Sequence, residues 1–348
     1  MKLITFVIPA YNVQSYIREC LESVVNQTSD NYSVIIVNDG STDENTSLIC
    51  EEYHGKYPHL ITYIYQENKG LGAARNTGLQ QVKTPWVTFL DSDDWIGTNY
   101  VEEFEKRLRE FADDSVDLFF TLPKIYDNVT EEVKDWYDKT IFYELFYQEN
   151  KTINPNIDKR IYWLEVNACR RIYNMKFLER LNFKFPEGVK WEDVYPHFYL
   201  LSNAGNCAGI ENIGFYYRIN TSGQITASSG KGRLDMIKVF AQTFEYLIKS
   251  EADKQIIMIA LELSVRFSKW SIDVANTETR KLLVDGLYQM YTCIPNDYMK
   301  AYSRWKPADK TFVKAICSKV GRCFYYDYFI HDILLEIKWK IFNRKVAH

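Results

Sequence analysis

Long apolar runs are missing from this chain of 348 residues. No stretch of about 18 apolar residues occurs, so no membrane-spanning helix is predicted. The opening MKLITFVIPAYN has one Lys before a short apolar run and then turns polar. That falls short of a signal-peptide pattern and reads instead as a first strand. Paired cysteines are missing too. Cys20, Cys50, Cys169, Cys207, Cys293, Cys317 and Cys323 are scattered, odd in number and without a C-x-x-C pair. A zinc site is not expected, and reduced thiols in the cytoplasm are. An excess of basic charge is absent: the formal net charge is −4, and no nucleic-acid partner is expected. There is no repeat of fixed period and no low-complexity block. With 46% hydrophobic and 25% charged residues the composition is that of a folded globular chain. Its length suggests one large domain plus an appendage, or two domains.

The first 120 residues or so alternate strand and helix patterns. Leu3 to Pro9 reads as a buried strand. Val13, Tyr16, Ile17, Cys20, Leu21, Val24 and Val25 then mark one apolar helical face. Strands are predicted at 33–37, 60–65, 86–90 and 116–121, with helices at 42–57 and 71–82 and after Thr98, which reads as a cap. Such alternation predicts an α/β fold, a mostly parallel sheet with helices on both faces. In such sheets ligands bind at the carboxyl ends of strands near a topological switch point. Polar clusters fall at three predicted strand ends: Pro9-Ala10-Tyr11-Asn12, Asn38-Asp39-Gly40-Ser41 and Asp91-Ser92-Asp93-Asp94. Helices return around 166–201, and 213–218 reads as a last strand. The loop NTSGQITASSGKG, 220–232, reads as a mobile segment or linker. From Arg233 onward the pattern is almost wholly helical.

TFLDSDDWIG, 88–97, poses the sharpest chemical question: acids crowd the end of an apolar strand. In extended backbone residues i and i+2 share a side, so Asp91 and Asp93 reach toward one divalent cation. Oxygen-only ligation suits Mg²⁺ or Mn²⁺, which often bind through one or two carboxylates plus substrate phosphates. The competing reading is a solvated turn capping the next helix; the strand-end placement favours the cation. Asp39 has two readings, a bond to a base N–H or ribose hydroxyl, or an Asx turn within D-G-S-T. Asp43 is expected to cap the next helix. NKGLGAARN, 68–76, contains G-x-G without the third glycine of a dinucleotide fingerprint. Its Arg75 reads either as a phosphate or ribose contact or as a surface helix residue. In Trp191-Glu192-Asp193 a carboxylate beside Trp suits a general base; the alternative is helix capping by Asp193. Arg218 and Lys231 flank the Ser/Thr/Gly loop. The aromatics of 136–147 and 162–163 read as core, with an acceptor groove as the alternative.

FVIPAYN, VNDGSTDE, NKGLGAARNTGL, FLDSDDW and WED, in this order over about residues 3–225, resemble the inverting GT-A glycosyltransferases of the large family 2 type. The resemblance implies a GT-A catalytic domain at 1–225, with a nucleotide-sugar half at 1–98 and an acceptor half at 99–225. A helical C-terminal region follows at 226–348. It implies that Pro9, Ala10, Tyr11 and Asn12 cradle the nucleoside and that Asp39 contacts the uracil or its ribose. Arg75 and Asn76 lie beside the nucleotide. Asp91 and Ser92 lie in the D-x-D near the ribose, with Asp93, helped by Asp91, as metal ligand to Mn²⁺ or Mg²⁺. Asp193 is the catalytic base, and Arg218 sits near the diphosphate. Relatives often carry a further metal-ligating His late in the domain; none lies in 213–232 here, so water or Asp94 is expected in its place.

The activity implied is transfer of a sugar from a nucleotide sugar, with UDP favoured. The acceptor is a hydroxyl of a glycan, polysaccharide, teichoic-type polymer or lipid-linked molecule. Two rivals stand beside it. One is an inactive nucleotide-sugar-binding or scaffold protein on the same fold. The other is a sugar-1-phosphate nucleotidyltransferase, which would carry a Gly-rich, Arg-containing loop where this chain has PAYN. Residues 324–348 are apolar with basic residues at the end. Packing on the domain is the preferred reading for them, with peripheral contact at the inner face of the membrane or a homodimer as alternatives.

Overall fold

The computed structural model describes residues 2–111, 115–148, 152–221, 228–318, 321, 322 and 325. Two compact units divide the chain, Met1–Gln224 and Ile225–His348. In the first unit β1 (Ile4–Ala10) is buried along its whole length, as a strand covered on both faces must be. It lies between β2 (Tyr32–Asp39) and β4 (Trp86–Phe89), parallel to both. β3 (Ile61–Gln66) continues the parallel run beside β2. The helices α1 (Ile17–Val25), α2 (Glu44–Lys56) and α3 (Leu71–Leu79) connect these strands. After β3 the chain crosses to the other side of β1, so a topological switch falls between β1 and β4. That is where the D-x-D segment emerges.

The sheet extends through β6 (Leu118–Thr121), β9 (Arg171–Asn174) and β10 (Cys207–Ile210) to seven strands in the order β10-β6-β9-β4-β1-β2-β3. β9 runs antiparallel to both β4 and β6. Here the helical reading of 166–201 is corrected. RIYN is too short to show a period, but its four residues are buried between two strands, and packing rather than propensity decides. A second sheet was not visible in the sequence. Its order is β5-β11-β7-β8, from β5 (Trp95–Ile96), β7 (Lys124–Asp127), β8 (Val133–Asp135) and β11 (Phe215–Ile219). Its strands are of two to five residues and largely half exposed; β11 overlaps the strand predicted at 213–218, and the other three fall below what alternation detects.

The first unit also holds α4 (Tyr100–Leu108), α5 (Lys139–Tyr143), α6 (Met175–Arg180) and α7 (Val194–Asn203). The cap of α4 is Asn99, one residue beyond Thr98. Asp43 caps α2 as its residue type predicts, accepting from the Thr46 amide at 2.6 Å.

The second unit is helical. It comprises α8 (Asp235–Lys249), α9 (Lys254–Val274), α10 (Thr277–Cys293), α11 (Asn296–Trp305) and α12 (Lys310–Ile316). Among the described residues no helix is long and apolar enough to cross a membrane. Six cysteines are described, all with free thiols. Residues 222–227 of the Ser/Thr/Gly loop and 326–348 of the basic tail lie outside the described residues. The expectations of a mobile loop and of a membrane-surface or dimerising tail fall there.

Candidate active site

The acids of TFLDSDDWIG are held by partners drawn from α3, from β11 and from the residue Thr221 just after it. Arg75, on α3, is buried. Its Nη2 donates to Asp91 Oδ1 at 2.7 Å, and its Nη1 ion-pairs closely with Glu192. One guanidinium thus joins the D-x-D end of β4 to the W-E-D segment before α7. The planar fork suits two carboxylates at once where a lysine would meet one. The G-x-G of NKGLGAARN now has its reason. A Cβ on Gly72 would sit 2.0 Å from the Pro186 carbonyl oxygen, so the glycine lets the 185–187 backbone run against α3. Asn76 holds the same loop, donating to the Phe185 carbonyl at 2.9 Å and accepting from the Phe185 amide at 2.8 Å.

Asp94 is turned inward. Its Oδ1 accepts from the Arg218 amide at 2.8 Å, which ties the D-x-D segment to β11. It is not the cap of α4, which is Asn99, and its second oxygen, Oδ2, is buried with no hydrogen-bond partner among the described residues. Burial, then the Asp93 and Asp91 charges, push its pKa well up. Asp93 remains partly exposed. Burial first and the Asp91 carboxylate second raise it to about 6, against which Arg218 and the Thr221 hydroxyl pull. The Arg218 guanidinium stacks over Trp95 at 4.5 Å, pairs with Glu19 at 2.6 Å and donates to the Asp93 carbonyl at 2.8 Å. Ser92, between the acids, is buried.

At the end of β2, Asp39 is buried and accepts from Gln66 Nε2 at 2.6 Å and from the Lys69 and Gly70 amides at 2.9 and 2.8 Å. The Asx turn belongs to its neighbour instead: Asn38 Oδ1 accepts from the Ser41 amide at 3.0 Å. A carboxylate offers roughly four acceptor positions, so Asp39 has capacity for a further donor. At the end of β1, Pro9 and Ala10 are buried, while Tyr11 is 46% exposed and offers a ring face. Asn12 takes a left-handed backbone, φ 52°, which Asn tolerates. Its Oδ1 accepts from the Thr42 and Asp43 amides at 2.8 and 3.1 Å, fixing β1 to the loop after β2.

Asp193 stands at the N-cap of α7, yet its side chain makes no capping bond. The capping alternative therefore does not account for it. Burial and the Glu192 carboxylate hold its pKa well above the ordinary range, and Arg75 opposes them. A carboxylate so placed is a stronger base than one in water. Trp191 before it has φ 65°, a strained conformation for a bulky residue. One turn further on, His197 is wholly buried; its Nε2 donates to the Tyr162 carbonyl at 3.1 Å and its Nδ1 accepts from Arg171. Among the described residues no three of His, Cys, Asp and Glu come together as a cage for a metal ion.

A model of the family "Glycosyl transferase family 2" matches residues 5–174, from β1 to the end of β9. Residues 5–174 are a domain of glycosyl transferase family 2. Glycosyltransferase GlyA of Streptococcus pneumoniae is 36% identical over 211 residues, 57% of this chain and 28% of that protein. The minor teichoic acid biosynthesis protein GgaB of Bacillus subtilis is 26% identical over 286 residues, 78% of this chain and 30% of that protein. The chain spans about a third or less of the length of these two relatives. Among solved structures, S. aureus TarS 1–349 in complex with UDP-GlcNAc superposes with a TM-score of 0.73 at 19% identity, covering 94% of this chain and 89% of that one. The likeness shows a shared GT-A fold.

Several contacts around this site gave no signal in the sequence. Glu192 neutralises Arg75, Glu19 holds Arg218, and Thr221 bonds Asp93. The Arg75–Glu192 partners lie 117 positions apart in the chain, and no periodicity links residues so distant. Of the aromatics, Trp136, Phe142, Phe146 and Tyr162 are core, while Tyr137 is 60% and Tyr147 42% exposed.

Proposed function

We propose that this chain is an inverting glycosyltransferase that moves a sugar from a nucleotide sugar, UDP the favoured carrier. The acceptor is a hydroxyl of a glycan, polysaccharide, teichoic-type polymer or lipid-linked molecule. The observation that carries the reading is the Asp91–Arg75–Glu192 chain, which ties the D-x-D segment to the base-bearing W-E-D segment at the switch point. Asp193 takes the acceptor proton. The hydroxyl oxygen forms a bond to the anomeric carbon as the bond from that carbon to the diphosphate oxygen breaks, and configuration inverts. One displacement needs one base and no nucleophilic side chain. Tyr11 and Asn12 flank the nucleoside, Asp39 accepts from the base or ribose, and Asn76 keeps the adjoining loop in place. Arg218 holds positive charge behind the D-x-D segment.

Asp91 and Asp93 fit a Mn²⁺ or Mg²⁺ ion: their oxygen-only donor set suits these ions, and Asp93 carries charge that its surroundings leave incompletely compensated. Such an ion, when bound, neutralises charge on the departing diphosphate. A panel of nucleotide sugars, read by nucleotide release with Mn²⁺ or Mg²⁺, tests the reading. At least one UDP-sugar is expected to turn over. A positioned base contributes roughly 10²–10⁴-fold, so Asp193→Asn is expected to cut transfer by about that factor while donor binding by calorimetry is kept. Silence with every UDP-sugar, or wild-type transfer by Asp193→Asn, counts against it.

A further inference from the structure

The helical unit holds a cavity of about 740 Å³ between the end of α10, α11 and α12. Lys300 and Arg304 line it from α11, and Lys310 and Lys314 line it from α12. No aspartate or glutamate is among its lining residues. In each helix the two cations stand at i and i+4, about one turn apart and on one face. Like charges at that spacing destabilise a helix slightly, and here both pairs face one space. All four side chains are exposed and form no ion pair among the described residues. Neighbouring cations of the same unit behave differently: Lys269 pairs with Asp309 at 2.5 Å and Lys306 with Glu262 at 2.8 Å. Asp309 and Glu262 serve those lysines, and neither is among the residues that line the cavity. Met299 and Val313 give the cavity an apolar wall, against which carbon chain rather than water is the better neighbour.

We infer that this cavity binds a chain of repeating phosphodiesters joined through polyol or sugar units, with a phosphate at each cation pair. A single phosphate satisfies one pair, whereas a chain engages both, and linking two weak contacts raises affinity without new ones. The occupant's identity as acceptor rests on the proposed transferase activity; the anion preference of the cavity does not.

The experiment measures binding of full-length protein to a soluble glycerol phosphate oligomer, inorganic phosphate, an uncharged dextran and vesicles containing anionic lipid. The oligomer is expected to bind at least tenfold more tightly than phosphate, to be released by salt as exposed charge pairs are, and to outcompete the vesicles; dextran is expected not to bind. The double variants Lys310→Glu/Lys314→Glu and Lys300→Glu/Arg304→Glu are each expected to weaken oligomer binding at least tenfold. Their thermal midpoint and donor hydrolysis are expected to stay unchanged, as is oligomer binding by Lys238→Glu, an exposed control on α8. Undiminished binding by both double variants, equal binding of dextran, or a preference for vesicles over oligomer overturns the inference. Pocket-dependent oligomer binding without turnover of any nucleotide sugar would sink the transferase reading and leave the cavity's role standing.

Discussion

The two units bury arginine in different ways. In the first, Arg75 lies between Asp91 and Glu192, and Arg170 lies against Asp138. In the second, Arg280 reaches from α10 to the last turn of α9 and donates to the Ile272 and Ala275 carbonyls, each at 2.9 Å. One arrangement sets a cation against carboxylates; the other sets it against the negative end of a helix. A buried carboxylate is expensive, so a fold that gathers several of them at one strand end needs an internal cation. Among its described residues the second unit buries no aspartate or glutamate, and Arg280 serves there as a helix cap. In the first unit the arginine answers the acids.

The largest expected effect comes from breaking the first arrangement. Arg75→Met keeps the apolar stem and removes the charge, leaving Asp91 and Glu192 without their partner. Removing one member of a buried ion pair costs about 3–5 kcal/mol. The lower end is expected, because Asp91 keeps a quarter of its side chain exposed. Denaturant unfolding measures the loss. Arg75→Lys is expected to recover only part of it, since one ammonium cannot span both carboxylates. Full stability in Arg75→Met would mean that the acids need no internal counter-charge.

The second arrangement gives a smaller effect. Arg280→Met leaves two helix-end carbonyls without a charged donor. Hydrogen bonds of that kind contribute about 1.5–3 kcal/mol each and fail as a pair. Water reaching a helix end replaces part of that, so a loss of about 2 kcal/mol is expected. Donor hydrolysis should survive in the folded fraction, whereas Arg75→Met should lose it. Equal loss of hydrolysis in both variants would erase the distinction drawn between the two arginines.

The same distinction explains what the sequence made legible. The strand ends were readable because buried parallel strands spell continuous apolar runs and their polar ends stand out, as in ITFVIPAYN and WVTFLDSDD. Asp43 was readable as a cap because a cap is a local bond. The inward turn of Asp94 was not readable, because its partner is an amide 124 positions away. β9 and the other strands of the second sheet besides β11 escaped because such short strands carry no measurable period. The basic cavity was invisible because Lys300 and Arg304 are separated from Lys310 and Lys314 by the turn between two helices, and composition averages them against the acids nearby. Local bonds leave marks in sequence; the pairings between distant segments, on which the site depends, do not.

A third way of holding an arginine gives the smallest and most selective test. Arg171 donates to the neutral Nδ1 of His197, deep in the first unit. Burial first, and the Arg171 charge second, depress the His197 pKa well below its ordinary 6.5. In the unfolded chain this histidine takes up a proton near pH 6.5, while in the folded protein it stays neutral. The unfolded state therefore binds more protons below pH 6.5, and stability falls as pH drops through that range. The slope attributable to one such group is at most about 1.4 kcal/mol per pH unit. Asp93, Asp193 and Glu192 act in the opposite sense, because their raised pKa values let the folded state take up protons first. The difference between wild type and His197→Gln isolates the histidine. Glutamine keeps a donor for the Tyr162 carbonyl and an acceptor for Arg171, and it does not titrate. Unfolding in denaturant at pH 7.5 and at pH 5 is expected to show a smaller acid loss in the variant. Identical losses in both proteins would mean that His197 charges in the folded state beside Arg171, and that a neutral partner is not what holds this arginine.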